Sequence, residues 1–206
     1  MKIQSAVFEV SSPNLELCPR LALPEFAFIG RSNVGKSSLI NMLTGQSSLA
    51  KVSDLPGKTR LMNFFTINRN WRLVDLPGYG YAHVAKTDRA DFNEAVADYL
   101  HGRENLVCIF VLIDSRLEPQ AIDVDFIGWL VDSEIPFVLI FTKTDKQSLS
   151  QTQSSIGRFK QTVLAELDPP PPIFVSSAKT KAGRKDILNY IAQQLEENPQ
   201  QSSQQE

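Results

Sequence analysis

The chain of 206 residues has only two cysteines, Cys18 and Cys108, so neither a disulfide framework nor a paired-thiol metal or redox motif can be built from it. Reduced thiols and a cytoplasmic location are the expectation. Long apolar runs are missing too: Leu106 to Ile113, the longest, falls far short of the roughly 18 residues that a membrane-crossing helix needs. Met1 to Ser12 lacks the apolar centre of a secretion signal, and no membrane partner is expected. Nor is there an excess of charge of one sign. Lys and Arg number 21 against 23 Asp and Glu, a formal net charge of −2, so a nucleic-acid partner would have to be met by a local patch. With 10 Gly, 12 Pro and 42% apolar residues, collagen-like and wholly disordered chains are excluded. One folded domain, expected to be a monomer, fits this length.

Phe26 to Ile29, Leu106 to Ile113, Val138 to Phe141 and Ile173 to Val175 are short apolar runs without alternation, which suits parallel strands buried on both faces. Between them lie helical stripes: Phe92, Ala95, Val96, Tyr99 and Leu100; Ile122, Phe126 and Leu130; Ile156, Phe159, Val163 and Leu167; Ile187, Leu188, Ile191 and Leu195. Alternating strands and helices imply right-handed βαβ units and an α/β three-layer sandwich. Leu61 to Ile67 and Trp71 to Asp75 are separated only by Asn68, Arg69 and Asn70, too short for a crossover. They should form a hairpin, making the sheet mostly parallel with one antiparallel edge strand. Pro169 to Pro172 ends a helix and delivers the last strand. Residues 196–206 are polar and repeat Gln, Ser and Glu, a composition expected to stay disordered.

The chemistry begins at Gly30-Arg31-Ser32-Asn33-Val34-Gly35-Lys36-Ser37, which fits GxxxxGK[ST] between a strand and a helix bearing Leu39, Ile40 and Leu43. Gly30 and Gly35 let successive backbone N–H groups converge on phosphate oxygens, and the helix adds its positive end. Lys36 is expected to bridge the β- and γ-phosphates and the Ser37 hydroxyl to ligate Mg²⁺. Asp75-Leu76-Pro77-Gly78 closes the hairpin, where a carboxylate can reach a Mg²⁺-bound water and the Gly78 N–H a γ-phosphate. In the loop Gly57-Lys58-Thr59-Arg60-Leu61, Thr59 is either a second Mg²⁺ ligand present only with a γ-phosphate or an ordinary loop residue. Thr142-Lys143-Thr144-Asp145 follows a strand, and its aspartate can accept both the ring N–H and the exocyclic amine of guanine, a donor pair adenine lacks. Ser176-Ser177-Ala178-Lys179 ends the next strand and offers a backbone N–H to the guanine carbonyl, while the Lys143 stem covers the ring.

In this order the motifs resemble those of the Ras-like P-loop GTPase superfamily over about residues 24 to 195. GRSNVGKS, Pro77-Gly78-Tyr79-Gly80-Tyr81-Ala82 and the TKxD form are similar to those of the EngB (YihA/YsxC) family of bacterial GTPases. The resemblance implies a G domain over residues 24–195; residues 1–23 are expected to be an extension that packs on it through Val7, Val10 and Leu15. It implies GTP binding and slow hydrolysis to GDP, and a role in maturation of the large ribosomal subunit, whose precursor, with its rRNA and ribosomal proteins, would be the partner. By the same resemblance Gly30 through Ser38 hold phosphates, Ser37 and Thr59 ligate Mg²⁺, Asp75 and Gly78 sense the γ-phosphate, and Thr142, Lys143, Asp145 and Ser176 to Ala178 hold guanine. Asn33 would help to hold K⁺ beside the phosphates.

Position 79, where Ras-like enzymes carry a water-orienting Gln, is Tyr79, and a phenol lacks that amide's paired donor and acceptor. Slow intrinsic turnover follows. His83, His101, Trp71 and Trp129 are assigned to surface or core. Lys179 to Lys185, with Arg60, Arg69 and Arg72, form either a phosphate-binding patch for ribosomal RNA or a solvated basic helix entry. Three functions share the P-loop: a GTP hydrolase whose switches, Asp54 to Arg60 and Asp75 to about Lys86, govern partner binding; a GTP-gated binding module with incidental hydrolysis; and an ATP-dependent phosphotransferase, against which Asp145 argues.

Overall fold

A computed structural model describes residues 1–50, 61–79 and 86–198, with the backbone alone for 86–93. Its strands are β1 (Ala6–Ser12), β2 (Glu25–Gly30), β3 (Met62–Ile67), β4 (Trp71–Asp75), β5 (Leu106–Asp114), β6 (Phe137–Thr142) and β7 (Ile173–Val175). The helices are α1 (Lys36–Thr44), α2 (Lys86–Gly102), α3 (Ala121–Asp132), α4 (Leu149–Val163) and α5 (Arg184–Glu197). One sheet of seven strands runs β1-β3-β4-β2-β5-β6-β7.

The expected buried runs form the sheet's centre, and their alternation divides two apolar layers. Phe26, Phe28, Phe110, Leu112, Val138 and Ile140 face the layer that holds α1 and α5. Ala27, Ile29, Ile109, Val111, Leu139 and Phe141 face the layer that holds α2, α3 and α4. Burial on both faces explains why these strands show no polar alternation. The hairpin forms with Asn63 opposite Asp75 and Ile67 opposite Trp71. Here the structure differs in detail, because β1 pairs antiparallel with β3 and takes the edge. The antiparallel strand β3 therefore lies one place in.

Two boundaries also move. α4 stops at Val163, and Leu167 reaches the core from the following turn, where its N–H bonds the Leu164 carbonyl at 3.1 Å. α5 continues through Glu197, whose carboxylate accepts from Gln193 and Gln194, so the helix enters the segment expected to be disordered. Residues 199–206 lie outside the described residues. Among the described residues no helix is long and apolar enough to cross a membrane.

Residues 1–23 join the rest through charge as well as through β1. Glu25 is fully buried and accepts from Arg103 Nη2 at 2.6 Å, Arg103 Nε at 2.9 Å, Tyr99 Oη at 2.8 Å and Arg72 Nη1 at 3.4 Å. Arg72 also donates to Glu9 and to the Leu21 carbonyl, and Arg103 donates to the Pro19 carbonyl. The parallel strands all end at one rim, carrying Gly30, Asp75, Asp114, Thr142 and Val175 together.

Candidate functional site

The first rim loop turns tightly after β2. The Val34 N–H bonds the Arg31 carbonyl at 3.2 Å, Asn33 has φ 59° and Gly35 φ 104°. A Cβ on Gly30 would lie 2.9 Å from the Leu112 carbonyl oxygen and 3.0 Å from Val34 Cγ1, so only glycine fits. Lys36 opens α1, and its N-cap, Gly35, supplies no side-chain bond. The first N–H groups of α1 are thus left for an anion rather than capped by the chain itself. Arg31, Lys36, Ser37 and Ser38 are partly exposed, Ser32 and Asn33 are exposed, and Val34 is buried.

Asp75, at the end of β4, accepts from Lys36 Nζ, which brings the two phosphate motifs into direct contact. Leu76 extends the ladder through its N–H to the Phe28 carbonyl at 3.0 Å, and Pro77 is buried behind it. Gly78 then passes across the P-loop. A Cβ there would stand 2.7 Å from the Gly30 carbonyl oxygen, which accounts for the glycine. Tyr79 turns inward, donates to Asp123 Oδ1 at 2.9 Å and stacks on Phe126 at 4.5 Å. Burial, the Asp123 charge and its hydrogen bond push the Tyr79 phenol well above its ordinary value, so it remains a donor. Burial also raises the Asp123 carboxyl, against the Tyr79 hydrogen bond and Arg31.

On the other side of the rim, Thr142 is buried and its hydroxyl donates to the Val34 carbonyl at 2.7 Å. Its side chain therefore braces the P-loop from below. Lys143 donates to the Asn33 carbonyl and, at 2.9 Å, to Asp114 Oδ2, and its Cε lies 3.8 Å from the position of a Gly35 Cβ. Burial opposes ionisation of Asp114, but bonds from Arg116 and then Lys143 outweigh it and hold the carboxyl at about 2.

Asp145 accepts from Ser177 Oγ at 2.7 Å through Oδ1, and this bond holds its carboxyl below the ordinary range. Its Oδ2 is buried without a partner among the described residues. A carboxylate oxygen withheld from water yet unpaired is what a donor-bearing ligand would satisfy. Ser176 and Ser177 spend their N–H groups on the Phe141 and Ala182 carbonyls, and Thr144 is tied to the Ser176 carbonyl. Ala178 follows in the same turn, partly exposed.

A family model described as a 50S ribosome-binding GTPase matches residues 25–143. The "Probable GTP-binding protein EngB" of Christiangramia forsetii is 52% identical over 93% of this chain and 96% of its own length. The protein of the same description from Porphyromonas gingivalis is 49% identical over 93% of this chain and 95% of its own. The chain belongs to the EngB family of GTP-binding proteins. As an EngB-family member it is a P-loop GTPase, which hydrolyses GTP. The fold agrees with a crystal structure of a probable GTP-binding protein EngB, at TM-score 0.65 and 24% identity over 84% of this chain and 99% of that one. It agrees also with Era in complex with MgGDPNP and a segment of 16S ribosomal RNA, at TM-score 0.66 and 20% identity over 83% of this chain and 56% of that one.

The structure places the residues expected from sequence as follows. Gly30 to Ser38 with Asp75 to Gly78, and Thr142 to Asp145 with Ser176 to Ala178, share one rim. Gly57, Lys58, Thr59 and Arg60 lie outside the described residues, as do Gly80 to Ala82 and His83; Leu61 stands exposed just before β3. The expected basic patch must be corrected. Arg72 is buried against Glu9 and Glu25, and Arg184 donates to the Met42 and Leu43 carbonyls, capping the end of α1. Lys179, Lys181 and Lys185 remain exposed. Asp114 and Asp123 were not legible as site residues, since each lies far in sequence from the loop it supports.

Proposed function

We propose that this EngB-family GTPase acts in the cytoplasm as a nucleotide-controlled factor in assembly of the large ribosomal subunit. The observation that carries the nucleotide part of this reading is the buried, unpartnered Asp145 Oδ2 beside an Oδ1 held by Ser177. A guanine edge would donate its ring N–H and exocyclic amine to these two oxygens, with the Ala178 N–H facing the base carbonyl and the Lys143 stem covering the ring. The N–H groups from Gly30 to Ser38 would surround the phosphates, with Lys36 moving from Asp75 to the β- and γ-phosphates. The ribosomal part rests on the description of the family model.

Among the described residues no three carboxylate, His or Cys groups gather into a metal cage. That suits Mg²⁺ arriving with the nucleotide, since this ion keeps waters and takes few protein ligands. Ser37 would ligate it, with Thr59 when the γ-phosphate is present, and Asp75 would accept from a bound water. Bound there, the ion neutralises charge developing on the phosphates. Asn33, exposed on the P-loop, would help to hold K⁺, and hydrolysis unchanged when Na⁺ replaces K⁺ would remove that site. Hydrolysis is in-line attack by water. Tyr79 is occupied by Asp123 and cannot orient that water, so intrinsic turnover is slow.

The same burial of Tyr79 favours a second reading, in which function lies in the GTP-bound complex and hydrolysis is incidental. Sedimentation with ribosomal particles in a GTP analogue, GDP and no nucleotide tests the partner. Co-sedimentation favoured by the GTP analogue is expected, and nucleotide-independent or absent binding would overturn the role. A variant that binds GTP without hydrolysing it should support growth only under the second reading.

A further inference from the structure

Asp123 lies in the first turn of α3, 3% exposed, and its two oxygens face two segments of the nucleotide rim. Tyr79 Oη donates to Oδ1 at 2.9 Å, and Arg31 Nη1 of the P-loop stands 4.0 Å from Oδ2. The Tyr79 ring packs on Phe126, so both the ring and the hydroxyl of the residue after Gly78 are fixed to one helix. Gly78 itself is in such close contact with the Gly30 carbonyl that no side chain fits between them. Burying a carboxylate is unfavourable unless donors or opposite charge meet it, and here the hydrogen-bond donor, Tyr79, and the ion-pair neighbour, Arg31, belong to the two loops that would contact phosphate.

We propose that Asp123 and Tyr79 are positioning residues that hold Gly78 beside the P-loop, so that a nucleoside triphosphate meets its γ-phosphate contact already in place. The inference rests on the reading of Gly78 as that contact. A loop that must be ordered on binding lowers affinity by its ordering entropy, and a preformed loop removes the penalty only for the ligand that touches it. GDP, with no γ-phosphate, gains nothing from the latch. Tyr79 thus serves triphosphate recognition from the position where Ras-like enzymes place a group for the attacking water.

The test is the affinity of fluorescent GDP and of a non-hydrolysable GTP analogue for the full chain, Tyr79→Phe, Asp123→Ala, Asp123→Asn, Gly78→Ala and the Tyr79→Phe/Asp123→Ala double variant. Tyr79→Phe keeps the stacked ring and removes only the hydroxyl. For Tyr79→Phe and Asp123→Ala the Kd of the GTP analogue should rise about 5- to 10-fold while that of GDP changes less than about 2-fold. The double variant should match Asp123→Ala, because both changes break one contact. Asp123→Asn, which keeps an acceptor for the phenol, should restore most of the preference. Parallel loss of both nucleotides, or no loss of either, overturns the latch. If Gly78→Ala loses the analogue while the latch variants do not, the latch alone fails. If Gly78→Ala also leaves the analogue unaffected, the γ-phosphate reading falls with it.

Discussion

Asp114 sits buried at the end of β5, where it orients Lys143 toward the Asn33 carbonyl. Its carboxyl is held at about 2 against an ordinary 3.8, which corresponds to about 2 kcal/mol of native-state stabilisation. Because the folded value is depressed, this contribution is present in full above the unfolded value and is lost as pH falls through it toward the folded one. Asp114→Asn should therefore lower stability at neutral pH by about that amount. Urea unfolding of both proteins across pH should show the gap narrowing below pH 4, and a gap independent of pH would contradict the assignment. Gly183 poses a backbone demand: with φ 76°, a Cβ would fall 2.0 Å from the Val175 carbonyl oxygen. Gly183→Ala should destabilise by about 1–3 kcal/mol, read as a lower urea midpoint. The placement of the P-loop glycines and of Asp145 was legible because it follows from spacing beside a strand end. The TKxD resemblance implies a base contact for Thr142, but its hydroxyl donates to the Val34 carbonyl, and no local pattern marks that choice.

At the scale of elements, the central strands and the hairpin were legible because double-sided burial and a three-residue turn leave plain signatures. β1 was not, since its apolar residues Ala6, Val7, Phe8 and Val10 show neither alternation nor a long run, and Val7 and Phe8, successive residues on opposite faces, both stay exposed at the sheet's edge. Nor was the Glu25 hub, whose partners Arg72 and Arg103 lie 47 and 78 positions away. Removing one cation leaves a buried carboxylate undercompensated. Arg103→Ala should cost about 3–5 kcal/mol in urea unfolding, and Glu25→Gln in that background should recover part of the loss. A loss below about 1 kcal/mol would show that the hub is not an effective tie between residues 1–23 and α2.

At the scale of the molecule, one end of the sheet gathers the nucleotide motifs, and Lys179, Lys181 and Lys185 lie exposed beside the guanine loop. Reversing Lys181 and Lys185 to Glu should weaken co-sedimentation with ribosomal particles and flatten its salt dependence, with GTP affinity kept. Arg184 is left intact because it caps α1. Unchanged co-sedimentation would remove the patch. Fold and rim were readable from sequence because βαβ order and strand-end motifs are set by local pattern. The supports beneath the rim were not, because they join residues that only the folded chain brings together.

The central claim is that Asp145 chooses the purine, and competition among GTP, XTP and ATP for the full chain and for Asp145→Asn tests it most directly. Wild type should prefer GTP, and the variant should shift toward XTP by about 10-fold or more, because an amide can donate to the xanthine carbonyl that replaces the guanine amine. A variant that retains the guanine preference, or a wild-type chain that takes ATP as readily as GTP, would contradict the account.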